Sequence, residues 1–161
     1  AYFYLKKHQI PVLPFADTVT PGIILGQAIG RIANFMNGDA FGHPTGQDFG
    51  LLYPDTTLAY HTYGAQPLWP AEVWECQGDL LIFVLLLWYG CKTRAEGTTF
   101  CLYIMFYSLL RFFLENYRGD YGTLALSLKS AQITSLAAFA GAFILFLYFH
   151  FKHKSKSGIS E

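Results

Sequence analysis

Long apolar runs separated by short polar stretches organise this chain. The most apolar covers residues 130–151, 22 positions with no Asp, Glu, Lys or Arg. As a helix rising 1.5 Å per residue it spans roughly 33 Å, against about 30 Å for the hydrocarbon core of a bilayer. A second run, 71–90, contains Leu80-Leu-Ile-Phe-Val-Leu-Leu-Leu-Trp-Tyr89. A third, 97–117, is rich in Phe, Leu, Tyr and Ile but carries Arg111 and Glu115. A fourth, 18–36, places Pro21 in its first turn, where a missing N–H is tolerated, and Arg31 towards its end. Residues 1–5 read as the tail of a further span. Residues 37–70, full of Gly, Pro, Asp and Thr, are too polar to cross and too aromatic for a plain linker, so short strands or a lid are expected. The predicted fold is all-α. It is a polytopic transmembrane bundle of about four spans plus the end of a fifth, one membrane domain over 1–161. The 37–70 segment is its irregular outer loop, and 152–161 a frayed polar tail.

Composition supports the membrane against the competing reading, a buried helical core in a soluble protein. Charged residues make up 14% of the chain, where soluble domains carry about 25%, and aromatics reach 18%. Basic residues add a check. Lys6 and Lys7, Lys92 and Arg94, and Lys152, Lys154 and Lys156 all fall on one side if the spans alternate. The positive-inside rule makes that side cytoplasmic, along with the C-terminal tail. The remaining loops hold only Arg118 and Lys129. With 11 basic and 11 acidic residues the formal charge is zero, which excludes a basic nucleic-acid binder and an acidic disordered tail. Cys76, Cys91 and Cys101 lack metal-ligand spacing and read as buried thiols. His8, His43, His61, His150 and His153 show no metal-ligand pattern either and read as loop or interface residues.

Ionisable groups inside a bilayer are expensive, and each needs a reason. Helix rise places Arg31, Arg111 and Glu75 each about 20–22 Å from the inner ends of their spans, in one layer of the outer half. Tyr107, Arg111 and Glu115 recur at i, i+4 and i+8 on one helix face, with Arg118 three residues on. An i, i+4 salt bridge would account for Arg111 and Glu115. A guanidinium rising to the headgroups would account for Arg31. Two arginines at one depth instead suggest a single polar cavity, and planar cationic forks suit a phosphate. Asn34 and Asn37 follow Arg31 and can either bind a polar ligand or, with Gly38, end the helix. Gly22, Gly26 and Gly30 repeat every four residues as a smooth face for helix packing. Asp79 sits deeper than the arginine layer, with its role open.

These residues carry a resemblance. The run Gly30-Arg-Ile-Ala-Asn-Phe-Met-Asn-Gly-Asp39, followed by Phe41-Gly-His-Pro-Thr45, is similar to the signature Gly-Arg-x-Gly-Asn-Phe-x-Asn-Gly-Glu of the bacterial prolipoprotein diacylglyceryl transferases. A second family block, His-Pro-Thr-Gln-Leu-Tyr-Glu, resembles Trp69-Pro-Ala-Glu-Val-Trp-Glu75, and a third, Tyr followed by Arg-x-x-x-Glu-x-x-Arg, matches Tyr107, Arg111, Glu115 and Arg118. Ala33, Asp39 and Trp69 depart from the pattern. The family's His-Gly-Gly segment does not occur in these residues and would precede Ala1. The chain is therefore read as the C-terminal portion of a longer protein of the bacterial plasma membrane.

The resemblance implies transfer of diacylglyceryl from phosphatidylglycerol to the cysteine thiol of a prolipoprotein signal peptide, forming a thioether and releasing glycerol phosphate, with no metal or cofactor required. It implies a catalytic set of Arg31, Arg111, Tyr107 and Glu115. Arg31, Asn34, Asn37, Arg111 and Glu75 would bind phosphatidylglycerol, with Glu75 and Glu115 orienting the arginines. The alternative is a phospholipid-binding paralogue without the chemistry. A transporter fits less well, since no inverted repeat is apparent.

Overall fold

The structure is a computed structural model describing residues 2–91, 95–119 and 129–157. Lys92 and Arg94, two of the basic residues counted above, lie outside these residues. The helices are α1 (Tyr2–Lys7), α2 (Val12–Asn37), α3 (Leu58–Tyr63), α4 (Ala71–Gly90), α5 (Thr98–Leu114) and α6 (Ser130–Ser157), with a 3-10 turn, Glu115–Tyr117, extending α5. Three of the described helices are long and apolar enough to cross a membrane: Val12–Asn37, Thr98–Tyr117 and Ser130–Lys154. The 20-residue α4 packs against α2 and α5 in the same bundle, but Glu72, Glu75 and Asp79 interrupt its apolar run.

Burial separates this chain from a soluble domain. Its fully buried side chains include Glu72, Glu75, Asp79, Glu115, Thr20, Thr98 and Thr99. Large apolar groups such as Ile29, Leu81, Val84, Trp88 and Ile144 lie exposed. Exposed apolar surface on that scale, wrapped round a polar interior, suits helices whose solvent is lipid. The chain is a multi-pass membrane protein.

The second helix departs from its predicted start. It begins at Val12, directly after Pro11, so Pro14 rather than Pro21 occupies the first turn. Pro21 sits inside the helix, where its ring removes one backbone donor. The Thr18 and Thr20 hydroxyls return to the Pro14 and Ala16 carbonyls at 2.8 and 2.7 Å, keeping polar groups satisfied within the helix. Its buried face is Asp17, Thr20, Ile24 and Ala28. Gly22, Gly26 and Gly30 are offset by two residues, about 200° round the helix. A Cβ on any of them would meet nothing within 4 Å, so the glycine face contacts no other described helix. The close approach is made instead by Gly78 of α4, whose absent Cβ would lie 2.5 Å from Leu110 of α5.

Asp17 fastens the opposite end of the bundle. Its carboxylate accepts from the backbone N–H groups of Gly97 at 2.7 Å and Phe100 at 2.9 Å, capping α5 from another helix. The tail also differs from expectation, because α6 runs on through Lys152 and Lys154 to Ser157. Lysines at a helix C-terminus complement its dipole and favour the extension. Of the cysteines, Cys101 is buried, Cys76 half-buried and Cys91 exposed, so Cys91 corrects the expectation of three buried thiols.

The 37–70 segment folds as a cap, held by single antiparallel bridges rather than by strands among the described residues. Leu51 and Leu68 exchange both backbone hydrogen bonds at 2.9 Å, and Gly42 bridges to Arg118. Phe41, Ala59 and Leu68 form its core beneath Tyr53 and Tyr63. Gly38, left-handed at φ 70°, turns the chain out of α2 by returning its N–H to Asn34 and Phe35. Trp69, Trp74 and Tyr117 pack ring against ring at 5.2–5.6 Å, joining the cap to α4 and to the end of α5.

Candidate active site at the arginine layer

Glu75 organises the polar interior. It lies on the buried face of α4 with Glu72, Asp79, Ile82 and Leu86, a 3.6-residue stripe turned towards α2 and α5. Its side chain is fully buried. Glu75 Oε1 lies 2.9 Å from Arg31 Nη2 of α2 and 3.6 Å from Arg111 Nη1 of α5. Glu75 Oε2 accepts from Arg118 Nη1 at 3.1 Å. One carboxylate therefore joins three guanidiniums from three parts of the chain. The expected layer of Arg31, Glu75 and Arg111 forms by direct contact.

A second carboxylate continues the network. Glu115, also fully buried, sits 2.9 Å from Arg111 Nη2 through the predicted i, i+4 pair, and 3.8 Å from Lys129 Nζ. Among these ion pairs four cations meet two carboxylates, with the buried carboxyl groups of Glu72 and Asp79 on the same face of α4. Two of the four cations are partly reachable. The side chains of Arg31 and Arg111 are 19% and 16% exposed, whereas Arg118 is 5% exposed and the carboxylates are sealed. Arg111 Nη1 is buried and makes no hydrogen bond among the described residues, facing Glu75 Oε1 at 3.6 Å, so the exposed part of the Arg111 side chain lies elsewhere on it. Asp79, one turn along α4 from Glu75, is buried with both carboxyl oxygens lacking a hydrogen bond among the described residues.

Arg111 opens onto a cavity of about 330 Å³ between α5 and α6, lined also by Tyr103, Tyr107, Thr134, Ser135 and Ala138. The Tyr107 ring stacks on Tyr103 at 6.1 Å, and the Tyr103 hydroxyl donates to Gln27 Oε1 at 3.0 Å. Arg31 is not among the residues lining this cavity and reaches Glu75 from the α2 side. Asn34 is half-buried one turn beyond Arg31. Asn37 is exposed, at the last position before the Gly38 cap. Among the described residues no group of three or more His, Cys, Asp or Glu side chains is placed to hold a metal ion.

The sequence reading left out Arg118 and Lys129 as site residues, counting both as loop charges. Arg118 carried a usable signal, three residues beyond Glu115 on the strip already holding Tyr107 and Arg111. Lys129 carried only its place ahead of α6, and its partners, 11 and 14 residues back, are invisible to helical periodicity.

Fold and site together define the class: a multi-pass helical membrane protein that buries an arginine-rich ion-pair cluster between its helices. Within that class the chain belongs to the prolipoprotein diacylglyceryl transferase family, whose sequence pattern matches residues 1–148. It is 33% identical over 153 residues to phosphatidylglycerol–prolipoprotein diacylglyceryl transferase 2 of Clostridium perfringens, covering 94% of this chain and 58% of that protein. The phosphatidylglycerol–prolipoprotein diacylglyceryl transferase of Clostridioides difficile is 36% identical over 160 residues, covering 99% of this chain and 59% of that protein. The enzyme of the same name from Halalkalibacterium halodurans is 33% identical over 150 residues, covering 92% of this chain and 52% of that protein. The chain thus spans between half and three fifths of the length of these curated relatives.

Proposed function

We propose that this chain is the arginine-bearing part of a phosphatidylglycerol–prolipoprotein diacylglyceryl transferase. The observation that carries the reading is Glu75, fully buried and holding Arg31, Arg111 and Arg118 together, with the first two partly open to a ligand. In the reaction the thiol of a prolipoprotein signal-peptide cysteine passes its proton to a base, and the thiolate attacks the carbon of the diacylglyceryl group that carries the phosphate ester of phosphatidylglycerol. A C–S bond forms, the C–O bond to phosphate breaks, and glycerol phosphate leaves with the additional negative charge. Donors already aimed at that developing charge lower the barrier, and most effectively where water is excluded.

Arg31 and Arg111 serve that role, since a guanidinium fork can donate to two phosphate oxygens at once. Glu75 and Glu115 hold the forks at a common level, and Tyr107, Asn34 and Asn37 position the headgroup. Four spans plus the end of a fifth place this layer in the outer half of the bacterial plasma membrane, with the C-terminal tail in the cytoplasm. The test is transfer of labelled diacylglyceryl from phosphatidylglycerol to a peptide bearing a signal-peptide cysteine, using the whole protein. Thioether formation supports the reading. Folded protein that binds phosphatidylglycerol but transfers nothing moves the reading to a lipid-binding paralogue.

A further inference from the structure

The start of α6 carries a polar contact set that the motif residues do not explain. Lys129 Nζ donates to the backbone carbonyls of Glu115 at 2.7 Å and Arg118 at 2.6 Å, and lies 3.8 Å from Glu115 Oε1. Two ammonium hydrogens thus have acceptors in one turn, the turn that carries Glu115 and Arg118, and the Glu115 carboxylate is paired with the same charge across a longer gap. Those carbonyls close the C-terminal end of α5, where a cation is favoured. The Lys129 backbone N–H donates to Gln132 Oε1 at 3.0 Å, and Gln132 Nε2 donates to Asn116 Oδ1 at 3.1 Å, so α6 is fixed to the same turn.

Glu115 therefore serves two cations, Arg111 at 2.9 Å and Lys129 at 3.8 Å. Without Lys129 the whole charge of this buried carboxylate falls on Arg111. Its guanidinium is drawn towards Glu115, and its field at a ligand is weakened. We propose that Lys129 is a positioning residue of the arginine site. By sharing Glu115 and pinning the Glu115–Arg118 turn, it keeps the partly exposed Arg111 side chain at the cavity between α5 and α6, where its charge can meet the phosphate of an anionic phospholipid headgroup. The inference rests on the reading above that Arg111 meets a lipid phosphate, but binding tests it independently of transfer.

The experiment titrates phosphatidylglycerol into the whole protein held in nanodiscs of neutral phospholipid, alongside thermal melting. Lys129→Met should weaken binding about tenfold, roughly 1.4 kcal/mol. Lys129→Arg, which keeps the charge, should bind within about threefold of wild type, since one decade corresponds to 1.4 kcal/mol. Gln132→Leu breaks the same helix junction without changing charge, so it should lower the melting temperature and leave affinity unchanged. If Lys129→Met fails to fold, Lys129→Gln retains donors for the carbonyls and carries the same comparison. Wild-type affinity in folded Lys129→Met overturns the inference, as does an equal loss in Gln132→Leu or no binding by wild type. Binding that depends on Lys129 without any transfer supports this inference and refutes the transferase reading. Transfer by wild type with unaltered binding in Lys129→Met does the reverse.

Discussion

Replacing Glu75 by glutamine removes one negative charge at the point where three guanidiniums meet. The amide keeps the shape and one acceptor oxygen, so the change is nearly pure electrostatics. It has no comfortable orientation. With its NH₂ in place of Oε2 it faces Arg118 Nη1 across 3.1 Å, and in place of Oε1 it faces Arg31 Nη2 across 2.9 Å, donor against donor either way. Arg118 is almost wholly buried and cannot turn to water, while Arg31 and Arg111 can reach it only in part. Breaking a buried ion pair from one side costs about 3–5 kcal/mol. At about 2–4 °C per kcal/mol for a protein of this size class, the melting temperature in detergent should fall by roughly 6–20 °C. Added phosphatidylglycerol should recover more of that loss than it adds to wild type, because a phosphate replaces the missing anion between the arginines. Glu75→Gln protein melting within about 2 °C of wild type, on the same scale of a few degrees per kcal/mol, would refute the bridging role assigned to Glu75.

Other consequences test different parts of the structure. Asp17→Ala removes the cap on α5 and should destabilise by about 1–2 kcal/mol, read by thermal melting; an unchanged midpoint would mean that the Gly97 and Phe100 amides find other acceptors. Gly42→Ala drives a methyl group into the Trp69 carbonyl, so the cap must shift, and faster proteolysis within residues 37–70 should follow. Intact cleavage resistance in Gly42→Ala would show that the cap yields without opening. Asp55→Cys should react with an impermeant thiol reagent from the outer face of oriented vesicles, and reaction solely from the cytoplasmic face would reverse the topology.

Much of this arrangement could be read from the pattern of residues. Helix rise alone put Arg31, Glu75 and Arg111 at similar depths, and the structure joins them through direct contacts. Three of the helix starts matched to within a residue, because Gly97, the charge-free run after Lys129 and the Trp69-Pro pair are sharp local signals. The start of α2 was missed by six residues. Two prolines, Pro14 and Pro21, compete for the first turn, and only the tertiary contact of Asp17 with α5 shows that 12–17 are helical. The glycine stripe misled for a related reason. Spacing every four residues marks a face but not what lies opposite it, and the buried face of α2 turned out to hold Asp17, Thr20, Ile24 and Ala28. Lys129 was beyond periodic reasoning, since its partners depend on how the end of α5 meets α6, whereas Arg118 lay on the legible strip and only its contact with Glu75 of α4 was hidden.

The most direct test of phosphate stabilisation by the arginine layer is the rate of thioether formation in Arg31→Lys. Lysine keeps the positive charge near Glu75 but loses the two-pronged fork that matches a phosphate. With the whole protein, labelled phosphatidylglycerol and a signal-peptide cysteine substrate, Arg31→Lys is expected to lower the rate at least about tenfold, or roughly 1.4 kcal/mol in the barrier. Its melting temperature should stay close to that of wild type. Folded Arg31→Lys protein working at the wild-type rate would contradict the role, leaving Arg31 as no more than the structural partner of Glu75.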